Sequence, residues 1–361
     1  MLQALEILAT FLLSTLFVGL TIRVAHRRGW YDQMDDRKIH SGSVPRLGGV
    51  GFAAAFIIMA VVITYLNKTS VYGIRFIPVL AAMPLILIFG VVDDFRPLAP
   101  RLKLTVQCVA AILVLLSNYT FHRIDFPSLG IHFEFGLFRY PLTLVWIVGV
   151  TNAMNLIDGV DGLAGGVAAL VSLSFAAVFF SVGNQGAALL CLTLAASIAG
   201  FLVFNLPLPQ AKIFMGDGGS QFLGFILALL PLLDNGDNKA NLPLPFAAAL
   251  LLIPIFDTFA AIWRRTRDGR RIDSPDKAHM HHKLMNLGLG AKGVDAVVYM
   301  LQIGLGVLVY FSFARHSGQD ILSPLLLGIA YALGLLFFII LHYGNRNALH
   351  GVQAARGGTA E

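Results

Sequence analysis

Charge and cysteine are both scarce in this chain. Only 13% of its 361 residues are Asp, Glu, Lys or Arg, against roughly 25% in soluble domains. A surface facing water on every side cannot be made from so little charge, which excludes an ordinary soluble fold. The two cysteines, Cys108 and Cys191, fall inside apolar runs without metal-ligand spacing. A thiolate metal site is thereby excluded, and both cysteines are expected to pack as small hydrophobes. Long polar stretches are also missing. The longest lie near 23–46, 119–139 and 264–293, too short for independent cores. There is no nucleic-acid motif, and the net charge of +6 suits anionic lipid headgroups better than a nucleic acid.

Apolar residues are what the chain has in abundance: 57% hydrophobic and a mean hydropathy of +0.76. Crossing about 30 Å of hydrocarbon takes about 20 apolar residues. Such runs occur near 2–22, 47–66, 76–92, 102–118, 140–157, 164–182, 186–205, 219–233, 243–263, 294–314 and 321–343. The pattern predicts an all-α, polytopic membrane protein with about eleven transmembrane helices. Alternate connecting segments hold 20 and 6 of the Lys and Arg residues. By the positive-inside rule the N-terminus is periplasmic and the C-terminus cytoplasmic. The first run has no basic residue before it and no small-residue cleavage site after it, so it reads as a retained helix rather than a signal peptide. Residues 1–345 are expected to form one transmembrane domain and 346–361 a short cytoplasmic tail. Small residues around Gly304 and Gly306 leave a homodimer open.

The acidic residues are not scattered. They gather in VVDDF (91–95), NAMNLIDGVDGLAGG (152–166) and FMGDGGS (214–220), all on the side assigned to the cytoplasm. Adjacent Asp93 and Asp94 repel unless a cation, a base or a shared proton relieves them. Asn152, Asn155, Asp158 and Asp161 recur every third residue, a polar ridge if the segment is helical, and the glycines among them suit a phosphate near a helix start. Asp217, between glycines at the start of an apolar run, can hold magnesium against substrate phosphates or cap its helix. Asp257 lies inside an apolar run, where an acid is functional or paired. Basic residues accompany the acids: Lys38 and His40 in the first loop, Arg265 and the string His279, His281, His282 in the last long one. The loop after Asp94, with Arg101 and Lys103, reads as an ordinary basic-flanked connection.

In this order the motifs RKIHSGSVPRLGG, VVDDF, NAMNLIDGVDGLAGG, KIFMGDGGS, IPIFDTFAAIWRR and HMHHKLMNLG resemble the polyprenyl-phosphate N-acetylhexosamine-1-phosphate transferase superfamily (glycosyltransferase family 4). The His-x-His-His string is similar to its WecA and TagO branch, related to MraY. The resemblance implies an inner-membrane enzyme with a cytoplasmic active site that moves N-acetylglucosamine 1-phosphate, or a related N-acetylhexosamine 1-phosphate, from a UDP-sugar to undecaprenyl phosphate. UMP is released, and magnesium, or manganese in its place, is the cofactor. It implies metal binding by Asp217 and Asp94, catalysis by Asp93, Asp94, Asp158 and His279, and substrate contacts from Lys38, His40, Asn155, Asp161, Arg265, His281 and His282. UDP-MurNAc-pentapeptide is the alternative donor. A transporter or flippase for nucleotide sugars or lipid-linked sugars is the competing class, although transporter sites usually lie near the bilayer midplane.

Overall fold

The computed structural model describes residues 2–31, 44–66, 74–206, 208–234, 242–271, 274, 276, 278–316 and 320–357. The chain runs α1 (Leu2–Arg28), α2 (Gly48–Leu66), α3 (Ile77–Phe95), α4 (Pro100–Leu116), β1 (Arg123–Phe126), β2 (Ile131–Glu134), α5 (Arg139–Ile157), α6 (Leu163–Ser181), α7 (Gln185–Asn205) and α8 (Gly216–Leu229). It continues through α9 (Leu244–Leu250), α10 (Leu252–Arg267), α11 (Met280–Asn286), α12 (Ala291–Phe313) and α13 (Leu322–Gly357).

Every apolar run read from the sequence is helical, though not all eleven are long enough to cross a bilayer as single straight helices. Among the described residues eight helices are long and apolar enough to cross a bilayer, or nine if α9 and α10, bent by 83°, form one span. The other two are short: α4 has 17 residues and α8 has 14. At about 1.5 Å per residue α8 is only about 21 Å long. It can be short because it faces no lipid: it packs against α2, α3 and α5, and every residue of it except Asp217 is buried. A helix that is apolar on all sides belongs inside a bundle.

The all-α expectation also needs amending. Strands β1 and β2 pair antiparallel, with Arg123 opposite Glu134 and Phe126 opposite Ile131, and the turn between them ends at Gly130 with φ +64°. Helix α13 runs on to Gly357, past the point where a tail was expected. The break between α9 and α10 has a local cause and a distant remedy. Pro254 has no N–H to give the carbonyl of Leu250 four residues back. The buried Gln302 of α12 donates to that carbonyl instead, at 3.0 Å.

Glycine sets how closely α8 approaches its neighbours. A Cβ on Gly49 of α2 would lie 2.3 Å from backbone atoms of Gly219, and one on Gly90 of α3 would lie 2.5 Å from Cα of Gly218. Backbone therefore meets backbone at the start of α8. Further along, the indole N–H of Trp146 in α5 donates to the carbonyl of Ala228 at 2.9 Å. Together these contacts fix the entrance of α8 beside the end of α3, where the acidic motifs converge. Within the bundle Gly306 of α12 faces Ser174 of α6, an internal contact, while Gly304 is open.

Candidate active site

The two adjacent acids of α3 have different jobs. One oxygen of Asp94 accepts the backbone N–H of Asp217 at 2.7 Å and the other that of Gly218 at 3.0 Å. These are N–H groups of the first turn of α8, which have no partner inside the helix. Asp94 thus caps α8 from across the bundle and sets the position of Asp217. Gly216 makes room for it: its φ is +77°, and a Cβ there would crowd both Asp94 oxygens. A free metal-ligating role for Asp94, as the motif implied, competes with this capping.

Asp93 is buried, accepts the backbone N–H of Leu98 at 2.7 Å, and lies within hydrogen-bonding reach of the Asp217 carboxylate. The cation that relieves the pair is Lys103, in the segment that reads as an ordinary loop. Its ammonium contacts Asp93 and sits 3.4 Å from Asp217. Arg46, just ahead of α2, places a guanidinium nitrogen 3.9 Å from the other Asp217 oxygen. Asn155 of α5 donates to Asp217 at 3.3 Å and to the Ser220 hydroxyl at 2.8 Å. Behind it Asn152, Gln107 and Gln221 exchange amide hydrogen bonds of 2.7 to 3.4 Å, locking α4, α5 and α8 together. Lys103, Arg46 and this amide network are the parts that motif reading missed.

The ridge expected along 152–161 breaks at its midpoint. Asn152 and Asn155 lie on α5, which ends at Ile157; Asp158 takes φ −76° and ψ 62°, and Asp161 follows in a turn. The break swings Asp158 toward Asp217, Arg46 and Asp94. Burial, then the Asp217 charge, pushes its carboxyl up to about 7, although the cleft still admits solvent to it. The turn is held from behind: Tyr299 of α12 donates to the carbonyl of Gly162 at 2.6 Å, and Asn205 accepts its N–H at 2.9 Å. Asp161 lies near enough to Asp295 of α12 for their charges to interact.

The histidine string reaches the same loop. A Cβ on Gly159 would fall 2.4 Å from the ring of His281, so the imidazole rests on glycine backbone. His279 Nδ1 is 2.8 Å from one oxygen of Asp257, and the other oxygen accepts the backbone N–H of Met280 at 2.8 Å. The deep acid is thus paired, and it anchors the start of α11. The rings of His279 and His281 lie parallel at 6.0 Å, with His282 against His281 at 4.3 Å. Burial, then His282, lowers the His281 imidazole to about 4, leaving it neutral near pH 7. Arg265 is buried in the last turn of α10. Lys38 and His40 lie outside the described residues.

Among the described residues no group of three or more His, Cys, Asp or Glu could enclose a metal. What is present is a pair of touching carboxylates, Asp93 and Asp217, the second part-exposed to the cleft. Magnesium fits such a pair, since it commonly takes one or two carboxylates and completes its shell with water and phosphate.

Residues 76–234 match the model of glycosyl transferase family 4, a stretch that includes all of these carboxylates except Asp257 and Asp295. The chain is 35% identical over 303 residues to a probable undecaprenyl-phosphate N-acetylglucosaminyl 1-phosphate transferase of Bacillus subtilis, covering 83% of both chains. It is 29% identical over 319 residues to the undecaprenyl-phosphate alpha-N-acetylglucosaminyl 1-phosphate transferase of Escherichia coli K12, covering 85% of this chain and 84% of that one. With the decaprenyl-phosphate N-acetylglucosaminephosphotransferase of Mycolicibacterium smegmatis it shares 30% over 336 residues, 84% of this chain and 80% of the relative.

Proposed function

Because this chain belongs to glycosyl transferase family 4, we propose that it is a multi-pass membrane enzyme transferring N-acetylglucosamine 1-phosphate from UDP-N-acetylglucosamine to undecaprenyl phosphate. The product is a polyprenyl-diphosphate-linked sugar, the start of a cell-surface glycan, and UMP leaves. The observation that carries the reading is the convergence of Asp93, Asp217, Asn155 and Asp158 from three separate motifs on one cleft, with Lys103 and Arg46 beside them. A transporter site near the middle of the bilayer fits these helix-end positions poorly. The basic-residue asymmetry supports a cytoplasmic cleft in the inner membrane.

The reaction forms a bond from a phosphate oxygen of the lipid to the sugar-bearing phosphorus and breaks the bond from that phosphorus to the UMP oxygen. Asp93 and Asp217 are the residues that would hold magnesium, or manganese, whose chemistry there is to offset charge on the diphosphate. Lys103 and Arg46 add fixed positive charge on the same side, and Asn155 orients Asp217. Asp158, half ionised near neutrality, is placed to take a proton from the acceptor phosphate. That step contributes little where the phosphate, with a second pKa of about 6, is already dianionic. Neutral His281 and its neighbour His282 offer hydrogen bonds to the donor beside the Gly159 loop, with His279 fixed by Asp257.

The test is UMP release by detergent-purified protein given undecaprenyl phosphate and a series of UDP-sugars. Release is expected with UDP-N-acetylglucosamine. Release only with another N-acetylhexosamine donor would change the specificity, and release with none would return the transport reading.

A further inference from the structure

A second polar cavity lies at the other end of α5, the helix that carries Asn155 and leads to Asp158. Helix α5 begins at Arg139 and ends beside Asp158, so the two places are about 28 Å apart at 1.5 Å per residue. The cavity has a volume of about 590 Å3, lies under the β1–β2 hairpin, and is lined by His122, Arg123, Asp125, Arg139 and His316 among others. Nothing in the transfer chemistry uses it.

Its nitrogen atoms are arranged to donate. His122 Nδ1 lies 3.2 Å from a guanidinium nitrogen of Arg139. A guanidinium has only donors, so Nδ1 accepts and the ring proton sits on Nε2. Burial, then Arg139, holds this imidazole below its ordinary range and keeps it in that neutral form. Its Nε2 is buried with no hydrogen-bond partner among the described residues, as are Nε of Arg139 and Nδ1 of His316. Arg139 also pairs with no described carboxylate; its other contacts are with Tyr140, the hydroxyl at 2.7 Å and the ring face at 4.8 Å. Two acids line the wall: Asp125 is engaged by His132 at 2.6 Å and Arg123 at 3.9 Å, and Glu134 stands opposite Arg123 in the hairpin, exposed to solvent. His122 Nε2 and Arg139 Nε are N–H donors, and His316 Nδ1 is one in its Nδ1–H tautomer. Buried N–H donors without acceptors call for one, and the ligand that supplies only acceptors is an oxyanion.

The surroundings indicate where the oxyanion comes from. Next to the cavity the hairpin and the turn after it expose Ile131, Phe133, Leu137 and Phe138 at 44, 57, 83 and 63%. An apolar and aromatic rim of this kind at the end of a helix bundle belongs at the membrane interface. We propose that this cavity binds a phosphoryl oxyanion, the headgroup phosphate of an anionic phospholipid, through His122, Arg139 and His316, with the acyl chains along the hairpin rim.

Native mass spectrometry of the purified full-length protein tests this, with phosphatidylglycerol, diacylglycerol and inorganic phosphate as probes. The wild type is expected to retain phosphatidylglycerol and not diacylglycerol, and Arg139→Gln to weaken retention at least about tenfold, the loss of a charge-assisted bond. His122→Asn is the second variant, and UMP release and elution volume unchanged in both show that they fold. Equal binding of diacylglycerol, or undiminished phosphatidylglycerol binding in both folded variants, would overturn the proposal. Inorganic phosphate binding as tightly as the lipid, and lost in Arg139→Gln, would keep the oxyanion site and overturn the lipid as its source.

Discussion

Replacing Gly90 by alanine should disable the enzyme without touching a polar group. A Cβ at this position would lie 2.5 Å from Cα of Gly218 and 3.0 Å from the carbonyl oxygen of Asp217, all backbone atoms that cannot rotate away. Reaching the 3.4 Å of ordinary contact requires α3 and α8 to part by about 0.9 Å. Asp94 stands one turn beyond Gly90, and its 2.7 and 3.0 Å bonds to the start of α8 would stretch to or past the 3.5 Å limit of a hydrogen bond. Overpacking of this kind costs about 1–3 kcal/mol, and each weakened bond to a carboxylate is worth about 1.5–3 kcal/mol when lost entirely. The displacement also moves Asp217 relative to Asp93, and misplacement by about 1 Å can reduce a rate about 100-fold. UMP release and the thermal midpoint of purified Gly90→Ala should both fall. Gly304→Ala is the comparator, since no atom lies within 4 Å of the added methyl, and it should match the wild type. Wild-type rate and midpoint in Gly90→Ala would refute the idea that this backbone contact positions the site.

Asp257→Ala leaves His279 Nδ1 and the Met280 N–H buried without their acceptors, at about 1–3 kcal/mol for each group; it should lower the melting midpoint and raise KM for the UDP-sugar, with Asp257→Asn milder in both. Lys103→Met leaves Asp93 and Asp217 facing each other. Its destabilisation should be less than the about 3–5 kcal/mol of a fully buried broken pair, because Lys103 is part-exposed, and the gap from wild type in midpoint should narrow when magnesium is added. The Asp158 carboxyl, raised from 3.8 to about 7, predicts a rate that declines as pH falls through 7 and a flatter acid limb in Asp158→Asn. The sign for stability is the reverse of that for a paired acid: the contribution is complete below about pH 4 and lost as pH rises through 7. Asp158→Asn should therefore gain on the wild type in thermal midpoint at pH 8 and not at pH 4.

Helices were legible in the sequence because each is an apolar run bounded by polar residues, a signal that does not depend on tertiary structure. Span length was less legible. The run that became α8 has the composition of a membrane crossing, and only its enclosure by α2, α3 and α5 allows it to stop at 14 residues. The hairpin carried a signal that went unread: RIDF and IHFE flank a turn ending in glycine, the usual signature of paired strands.

The acids of the cleft announced themselves because charge beside hydrocarbon is rare. Their division of labour did not, since Asp93 and Asp94 are adjacent in sequence while one faces Lys103 and the other the backbone of α8. Lys103 was hidden for a related reason: a basic residue at a helix start reads as membrane-surface charge until the fold brings it against two carboxylates. Asp257 and His279 each stood out, yet their pairing spans 22 positions that sequence spacing cannot bridge. Asn205 and Tyr299, which hold the Gly162 turn, are single polar residues in apolar runs and gave no signal at all.

The most direct measurement is a magnesium titration of UMP release from UDP-N-acetylglucosamine and undecaprenyl phosphate, run on the wild type and on Asp217→Asn. Magnesium-dependent release in the wild type, abolished by EDTA and reduced at least about 100-fold in a folded Asp217→Asn, is the predicted result. Release that ignores both EDTA and the substitution would contradict the assignment of the α3–α8 carboxylates as the seat of phosphoryl transfer.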